Sequence, residues 1–347
     1  MKHAQPPRAD CIHLGRRLPR GPCALPVFAC GLPEVQVTTL AGCLSCPLYR
    51  QGRQATTRAA RANYTTTPKT LSSAAGAFTT PTGQPVPLEG RYHGAGLFLA
   101  LAGPSLQTLD LHLLNQRGVV VMAVNNAATV VRPHLWTAVD PCGKFHHVIW
   151  HDPAILKLVA WGRRKDRLRV KTPAGFVDDG RKAMDCPGVV CYRRSASFEP
   201  ATYLASPDVN WGNDQKAAAR NGWPHVLNVM FAALKQAYLL GFRRVYLLGC
   251  DFRMDEGHVN YAFAQARSAG AVRCNNAAYA KLNQMLAQLV PGFDKANFCV
   301  YNTNKQSGLT AFPYLAYTDA IHAETQAFRT IDASGWYEKS DDAFFGR

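Results

Sequence analysis

The segment Gly241-Phe-Arg-Arg-Val-Tyr-Leu-Leu-Gly-Cys-Asp-Phe252, with Asn260-Tyr-Ala-Phe263 just beyond it, carries the strongest architectural signal in the chain. Val245 to Leu248 is a short apolar run bounded by Arg244 and Gly249, the pattern of a strand buried on both faces. It closes on a glycine and then an acid, Asp251. In an open parallel sheet, ligands bind just past the carboxyl ends of the strands, so a Gly-x-Asp turn there is placed to serve a site. A simple turn cap is the plainer role for the same acid.

Other segments repeat the design. Leu97-Phe-Leu-Ala-Leu-Ala102 is an apolar run that ends in Gly103-Pro104-Ser105-Leu106, and Leu106, Leu109, Leu113 and Leu114 recur at helical spacing. Ser105 is placed to cap that helix, and a glycine turn feeding a helix start is a natural phosphate cradle. Val119 to Val124 ends in Asn125-Asn126, and Leu135 to Val139 ends in Asp140-Pro141. Successive strands thus deliver Gly-Pro-Ser, Asn-Asn and Asp-Pro to one sheet edge. The pattern predicts an α/β fold, a Rossmann-like, mostly parallel sheet with helices on both faces. The chain contains neither G-x-G-x-x-G nor G-x-x-x-x-G-K-[ST].

Further along, Gly188 to Tyr192 reads as another strand and Ser206 to Asn213 as a long polar loop with Trp211 as its anchor. A helix is expected from Pro224 to Tyr238, beginning near Gly222, with Val226, Val229, Met230, Ala233 and Leu234 on its core face.

The order Gly103-Pro-Ser-Leu, Asn125-Asn126, then Gly249-x-Asp251-Phe252 and Tyr261-Ala-Phe263 resembles bacterial sialyltransferases that use a CMP-activated sugar. It also resembles a related group of pterin-pyrophosphokinase-like and flagellin-glycosylation proteins. The terminal segment Val300-Tyr-Asn-Thr303 with Ser307-Gly-Leu309 fits the same scheme, and the likeness spans residues 95–315. A Cys-rich start combined with these motifs resembles phage-type glycosyltransferases. The resemblance implies a Rossmann-like domain and metal-independent transfer from a nucleotide donor, with Tyr261 near the leaving phosphate. One position departs from it: the sialyltransferases carry a catalytic His just before the helix matching Asn275–Leu289, and Arg273-Cys274 stand there in this chain.

The chain has 347 residues, 47% of them hydrophobic, which places it among globular proteins. Its apolar runs fall short of the roughly 18 residues a bilayer span needs. The amino terminus has no apolar stretch before a cleavage site, so a signal peptide is not expected and the 11 Cys are expected to be thiols or metal ligands in a reducing cytoplasm. Residues 1–54 hold Cys11, Cys23, Cys30, Cys43 and Cys46 in a stretch too short for its own core. Cys43-Leu-Ser-Cys46 is a C-x-x-C knuckle, and Cys11 with Cys30 completes a four-thiolate structural zinc site, with His13 or Cys23 as competing ligands. A redox C-x-x-C is the alternative, but no strand precedes the motif. Residues 55–90 read as a linker or strap, 91–318 as the transferase domain and 319–347 as a tail.

The formal charge of +16 points to a polyanionic partner, since Lys and Arg displace condensed counterions from phosphates. Arg163, Arg164, Lys165 and Arg167 open the densest cluster and are the candidate DNA contacts. A solvated, solubilising face is the alternative. Gly103, Pro104, Ser105, Asn125, Asn126, Gly222, Gly249 and Asp251 form the candidate donor site. The asparagines offer donors and acceptors without charge, although they also suit turns. Asp140 is the first choice of general base, His258 the second, and Asp251 is read as structural or donor-binding. His146, His147 and His151 lack the spacing of a catalytic metal site. The leading expectation is a nucleotide-sugar-dependent glycosyltransferase acting on hydroxymethylated pyrimidines in DNA. Its rivals are a glycan or protein glycosyltransferase, a pterin pyrophosphokinase and a non-catalytic nucleic-acid-binding protein.

Overall fold

The computed structural model describes residues 76–329, apart from 173–174, 264 and 266–267, together with three short strands near the amino terminus. Those strands, Leu14–Arg17, Val27–Cys30 and Thr38–Thr39, pair as an antiparallel meander. The expected zinc ligands Cys11, Cys43 and Cys46, with their alternatives His13 and Cys23, lie outside the described residues, and of Cys30 only the backbone is described.

The main sheet is built from β1 (Phe78–Thr79), β2 (Gly96–Ala100), β3 (Val120–Val124), β4 (Leu135–Thr137), β5 (Leu156–Ala160), β6 (Val189–Tyr192), β7 (Arg244–Leu248) and β8 (Cys299–Asn302). Their spatial order is β8-β7-β2-β3-β4-β5-β6-β1, all parallel except β1, which runs antiparallel to β6 at the edge. The α-helices of the described residues are α1 (His147–His151), α2 (Gln215–Asn221), α3 (Val229–Leu240), α4 (Ala269–Lys295) and α5 (Tyr317–Arg329).

Period-two alternation in the strands feeds two separate core layers. Leu97, Leu99, Val245 and Leu247 pack against α3 and α4, through Phe231, Leu234, Leu286 and Leu289 among others. Phe98, Ala100, Tyr246 and Leu248 face the opposite layer, which α1 and α5 close through Ile149, Trp150, Ala320 and Ile321. Helices therefore cover both faces of a mostly parallel sheet, and the α/β, Rossmann-like expectation holds at that level. The amphipathic α4 is the longest helix, yet no helix of the described residues is long and apolar enough to cross a membrane.

Helix α5 crosses the expected boundary at 318 and is part of this body. Its Glu324, 5% exposed, accepts from Gly96 N at 3.0 Å, Arg244 Nε at 2.6 Å, Arg244 Nη2 at 2.8 Å and Tyr246 Oη at 2.7 Å. The bidentate arginine satisfies the buried carboxylate and pins the helix to the amino ends of β2 and β7. The described end of the strap also lies on the domain: Gly90 N donates to Leu239 O, and Tyr92 stacks on Phe242 with centroids 4.7 Å apart.

Several local expectations change. The leucines after Gly103 form two 3-10 turns, Pro104–Thr108 and Leu111–Asn115, rather than an α-helix. Asp110 interrupts the run by accepting from His112 N at 3.1 Å, which starts a new turn. The helix expected from Pro224 begins at Val229, because Asn228 caps it by accepting from Met230 N at 2.7 Å while Val226–Leu227 pairs as a short strand with Gly212–Asn213. Gly222 ends α2 in the left-handed conformation, φ 72°, instead of opening a helix. The stretch Ser206 to Asn213, expected as a long polar loop anchored by Trp211, carries two short strands, Val209–Asn210 and Gly212–Asn213, with Val209, Asn210, Trp211 and Asn213 buried.

Candidate functional site

The chain runs from β2 towards β3 on one side and from β7 towards β8 on the other, so the boundary between β2 and β7 is the switch point of the sheet. The turns Gly103-Pro104-Ser105 and Gly249-Cys250-Asp251 meet there. Gly103 N donates to Gly249 O at 2.9 Å. Asp251 Oδ2 accepts from Ser105 N at 3.2 Å and Ser105 Oγ at 2.9 Å, while Oδ1 accepts from Asn304 Nδ2 at 2.8 Å. Its backbone carbonyl takes Gly308 N at 2.8 Å. Asp251 is thus a clamp that gathers the loops after β2, β7 and β8.

The glycines are explained by the same meeting. A Cβ on Gly103 would overlap the Asp251 carboxylate and the Gly249 carbonyl. Gly249 has φ 62°, and a Cβ there would press on Leu101 O and Leu106 Cβ, each at 2.9 Å. The turns need glycine to touch each other, whereas the sequence suggested an approach by ligand. Ser105 spends its hydroxyl on Asp251 and caps nothing, and its 3-10 turn is too short to offer a helix dipole.

Beside this junction lies a cleft of about 710 Å³. It brings together Gly103, Asn125, Asp140, Arg163, Gly249, Asp251 and Tyr261 from the sequence-derived set. Pro104, Ser105, Asn126, Gly222, His258, Arg164, Lys165 and Arg167 do not line it. Tyr261 is held at the rim by its neighbour: Ala262 N donates to Ala102 O at 2.9 Å, and Gln107 Nε2 donates to Ala262 O at 2.7 Å. The Tyr261 ring stacks on Phe263, centroids 5.4 Å apart.

Asn125 and Phe252 line the cleft with φ of 52° and 51°. Left-handed backbone is tolerable for Asn and costly for an aromatic, and such strain clusters at sites that bind or react. Asn125 gives its carbonyl to Trp136 Nε1 at 2.8 Å, while its side-chain Oδ1 is buried without a protein partner. Phe252 is braced by stacking on Tyr279, centroids 5.0 Å apart. Asn126 has a structural task, since its Oδ1 accepts from His146 N at 3.1 Å and so positions the start of α1.

Asp140 and Asp251 are the carboxylates lining the cleft, and they differ in commitment. Both oxygens of Asp251 are engaged as above. Asp140 is 56% exposed in its side chain, with Lys144 Nζ at 3.4 Å as its ion-pair partner. The carboxylate is therefore open to solvent, with the turn Cys142–Lys144 following it in the chain. His258 sits in an exposed turn outside the cleft, where Asn260 Nδ2 donates to its carbonyl at 3.1 Å.

The cationic wall was largely hidden from the sequence. Arg194 lies over the Trp211 ring, 4.2 Å from its centroid, and Trp211 Nε1 donates to Tyr192 Oη at 3.2 Å. Burial pulls the Arg194 guanidinium below its usual value. His225, Arg253 and Lys281 line the same space. Tyr192 to Arg194 reads locally as the end of a strand, and nothing in its spacing announces a site. Of the candidate DNA contacts, Arg163 reaches the cleft, Arg164 folds onto Trp161 at 3.7 Å, Arg167 pairs with Asp178 at 3.1 Å and Lys165 is exposed. At the position where the sialyltransferase-like pattern would place a His, Arg273 pairs with Glu256 at 2.8 Å and Cys274 lines the cleft. No group of three or more His, Cys, Asp or Glu among the described residues is arranged to hold a metal.

Comparison of the chain with protein-family models, with curated proteins and with solved structures gave no match.

Proposed function

We propose that the cleft binds a nucleotide-activated sugar and that the protein transfers the sugar to a hydroxymethyl group on a pyrimidine of DNA. The observation that carries the reading is the switch-point cleft itself, lined by Arg163, Arg194, Arg253 and Lys281 and by one solvent-exposed carboxylate, Asp140, whose ion-pair partner is the exposed Lys144. Guanidinium and ammonium groups stabilise the charge that develops on a departing phosphate. Asn125, whose side-chain oxygen is buried without a protein partner, is suited to a donor N–H of the base or a ribose hydroxyl. In the transfer, Asp140 takes the proton of the acceptor hydroxyl as its oxygen bonds to the anomeric carbon. The bond from that carbon to phosphate breaks, and the phosphate oxygen leaves with the electron pair. In this reading Tyr261, which lines the cleft, donates a hydrogen bond to that oxygen. The acceptor class rests on the net charge of +16 and on the cationic segment that begins at Arg163.

The test is incubation of the full chain with a panel of nucleotide sugars and with duplex DNA carrying hydroxymethylated or ordinary pyrimidines, followed by nucleoside mass spectrometry. A sugar-sized mass gain confined to the hydroxymethylated nucleoside supports the proposal. Transfer only to a glycan or protein, or an ATP- and divalent-metal-dependent pyrophosphoryl transfer to a pterin, overturns it.

A further inference from the structure

From the two-stranded ribbon Arg167–Thr172 and Gly175–Lys182 we infer a duplex-DNA docking element that seats in the major groove next to the cleft; this extends, and rests on, the DNA-acceptor reading. The ribbon's strands pair with each other and with no strand of the main sheet. Leu168, 1% exposed, anchors its base in the core, and α1 packs against its first strand.

From Arg163 to Lys182 the chain holds eight basic and three acidic residues, a net +5. The acids are engaged internally. Asp166 accepts from Cys142 N at 3.1 Å, Asp178 from Gly180 N at 2.8 Å and Arg167 Nη1 at 3.1 Å, and Asp179 from Arg181 N at 2.8 Å, with His151 Nε2 at 3.5 Å. Arg169, Arg181 and Lys182 pair with no carboxylate among the described residues. The surplus charge therefore faces outward.

The register places Phe176 opposite Lys171 and Asp178 opposite Arg169, so Phe176 shares a face with Arg169 and Arg167. Phe176 and Val177 are each 53% exposed, and Val148 on the adjoining α1 is 48% exposed. An apolar tip on a cationic ribbon is unsuited to plain solvation. A second copy of the chain is disfavoured as occupant, because like-charged ribbon edges repel when brought together. A polyanion with an apolar interior feature fits both properties. The major groove is about 12 Å wide, admits a two-stranded ribbon and presents the pyrimidine 5-substituent, an apolar methyl in thymine. Phosphates on the rims meet the arginines, and base edges meet Phe176. The segment is also continuous with Arg163, which lines the cleft, so DNA held on the ribbon is held beside the reaction space.

The experiment measures binding of a fluorescein-labelled duplex containing 5-hydroxymethylcytosine by anisotropy across a salt series, for the full chain and two variants. Arg169→Gln/Arg181→Gln/Lys182→Gln should flatten the plot of log affinity against log salt by about two to three units. Phe176→Ser/Val177→Ser should weaken binding several-fold with the slope unchanged, which separates groove contact from charge alone. Circular dichroism melts of both variants should match the parent, since the substituted side chains lie on the surface. If the parent binds and both folded variants bind as it does, the ribbon assignment is wrong while the acceptor reading stands. If the parent does not bind duplex DNA at all, or binds only anionic phosphatidylserine vesicles, the ribbon assignment and the acceptor reading both fall.

Discussion

Replacing Asp251 with Ala should unfasten the switch point, and the size of the effect follows from its contacts. The substitution removes three hydrogen bonds to a charged acceptor, from Ser105 N, Ser105 Oγ and Asn304 Nδ2 at 3.2, 2.9 and 2.8 Å. It also leaves the Ser105 amide and the Asn304 amide group short of a partner in a half-buried place. Bonds to charged groups contribute about 1.5–3 kcal/mol each; taking the low end for partial exposure and relief by water, the loss is about 3–4 kcal/mol. For a domain of this size each kcal/mol moves the thermal midpoint by about 2–4 °C, so the midpoint should fall by roughly 10 °C. Asp251→Asn keeps the shape and one acceptor and should cost about 1–2 kcal/mol. Thermal unfolding followed by far-ultraviolet circular dichroism measures both, and limited proteolysis should reveal early cleavage in the loops after β2 and β8. A midpoint shift under about 2 °C for Asp251→Ala would refute the clamp and return the carboxylate to the list of groups available to a ligand.

Three further outcomes are expected. Asp140→Asn should lower transfer by about a hundred- to ten-thousand-fold with nucleotide affinity, read by calorimetry, nearly unchanged; parental turnover in Asp140→Asn, with a dead His258→Ala, would move the base to the loop histidine. Lys235 has no exposed surface, its Nζ donates to Leu204 O at 2.7 Å, and burial draws its ammonium down to about 7. Because the unfolded lysine keeps its proton to higher pH, wild-type stability should rise as pH climbs from about 7 towards 10, so Lys235→Met should be more stable by about 2–3 kcal/mol at pH 6 and lose that margin by pH 10; urea titrations at both pH values read this, and a margin independent of pH would refute it. Protein purified without added zinc should carry about one equivalent, released when Cys43 and Cys46 are replaced together by Ser; folded, active protein without metal would refute the four-thiolate site of Cys11, Cys30, Cys43 and Cys46.

How much of this was legible depends on how local the signal is. Strands β2, β3, β4, β6 and β7 could be read because burial on both faces favours unbroken apolar runs, and Leu97–Ala102 and Val245–Leu248 obey that demand without reference to anything distant; β1, β5 and β8 were not read as strands. Helix starts were less legible. Pro224 looked like a first-turn residue, but Asn228 holds the capping bond, and the preceding Val226–Leu227 is drawn into a pairing with Gly212–Asn213 that local spacing cannot show. Cysteine- and arginine-rich regions reveal their composition and not their contacts. Arg164 belongs to the dense basic cluster by sequence, yet its guanidinium is spent on the Trp161 ring.

The candidate site divides along the same line. Residues at strand ends could be found, because the sheet edge collects whatever follows each strand: Gly103, Asn125, Asp140 and Asp251 all arrive there. Their individual tasks could not, because a task depends on what the chain places opposite. Asp251 and Asp140 look alike in sequence, each an acid just past an apolar strand. One faces Ser105 and Asn304 and becomes a fastener; the other faces solvent and keeps lone pairs to offer. Arg194 and Trp211 make the complementary case. They sit apart in sequence, in segments with no periodic pattern, and become a cation-bearing wall only because Arg194–Ser195 pairs in parallel with Val209–Asn210. The proposed chemistry rests on both kinds of residue: a carboxylate that topology delivers and that stays exposed beside Lys144, and an arginine that long-range pairing brings to line the same cleft.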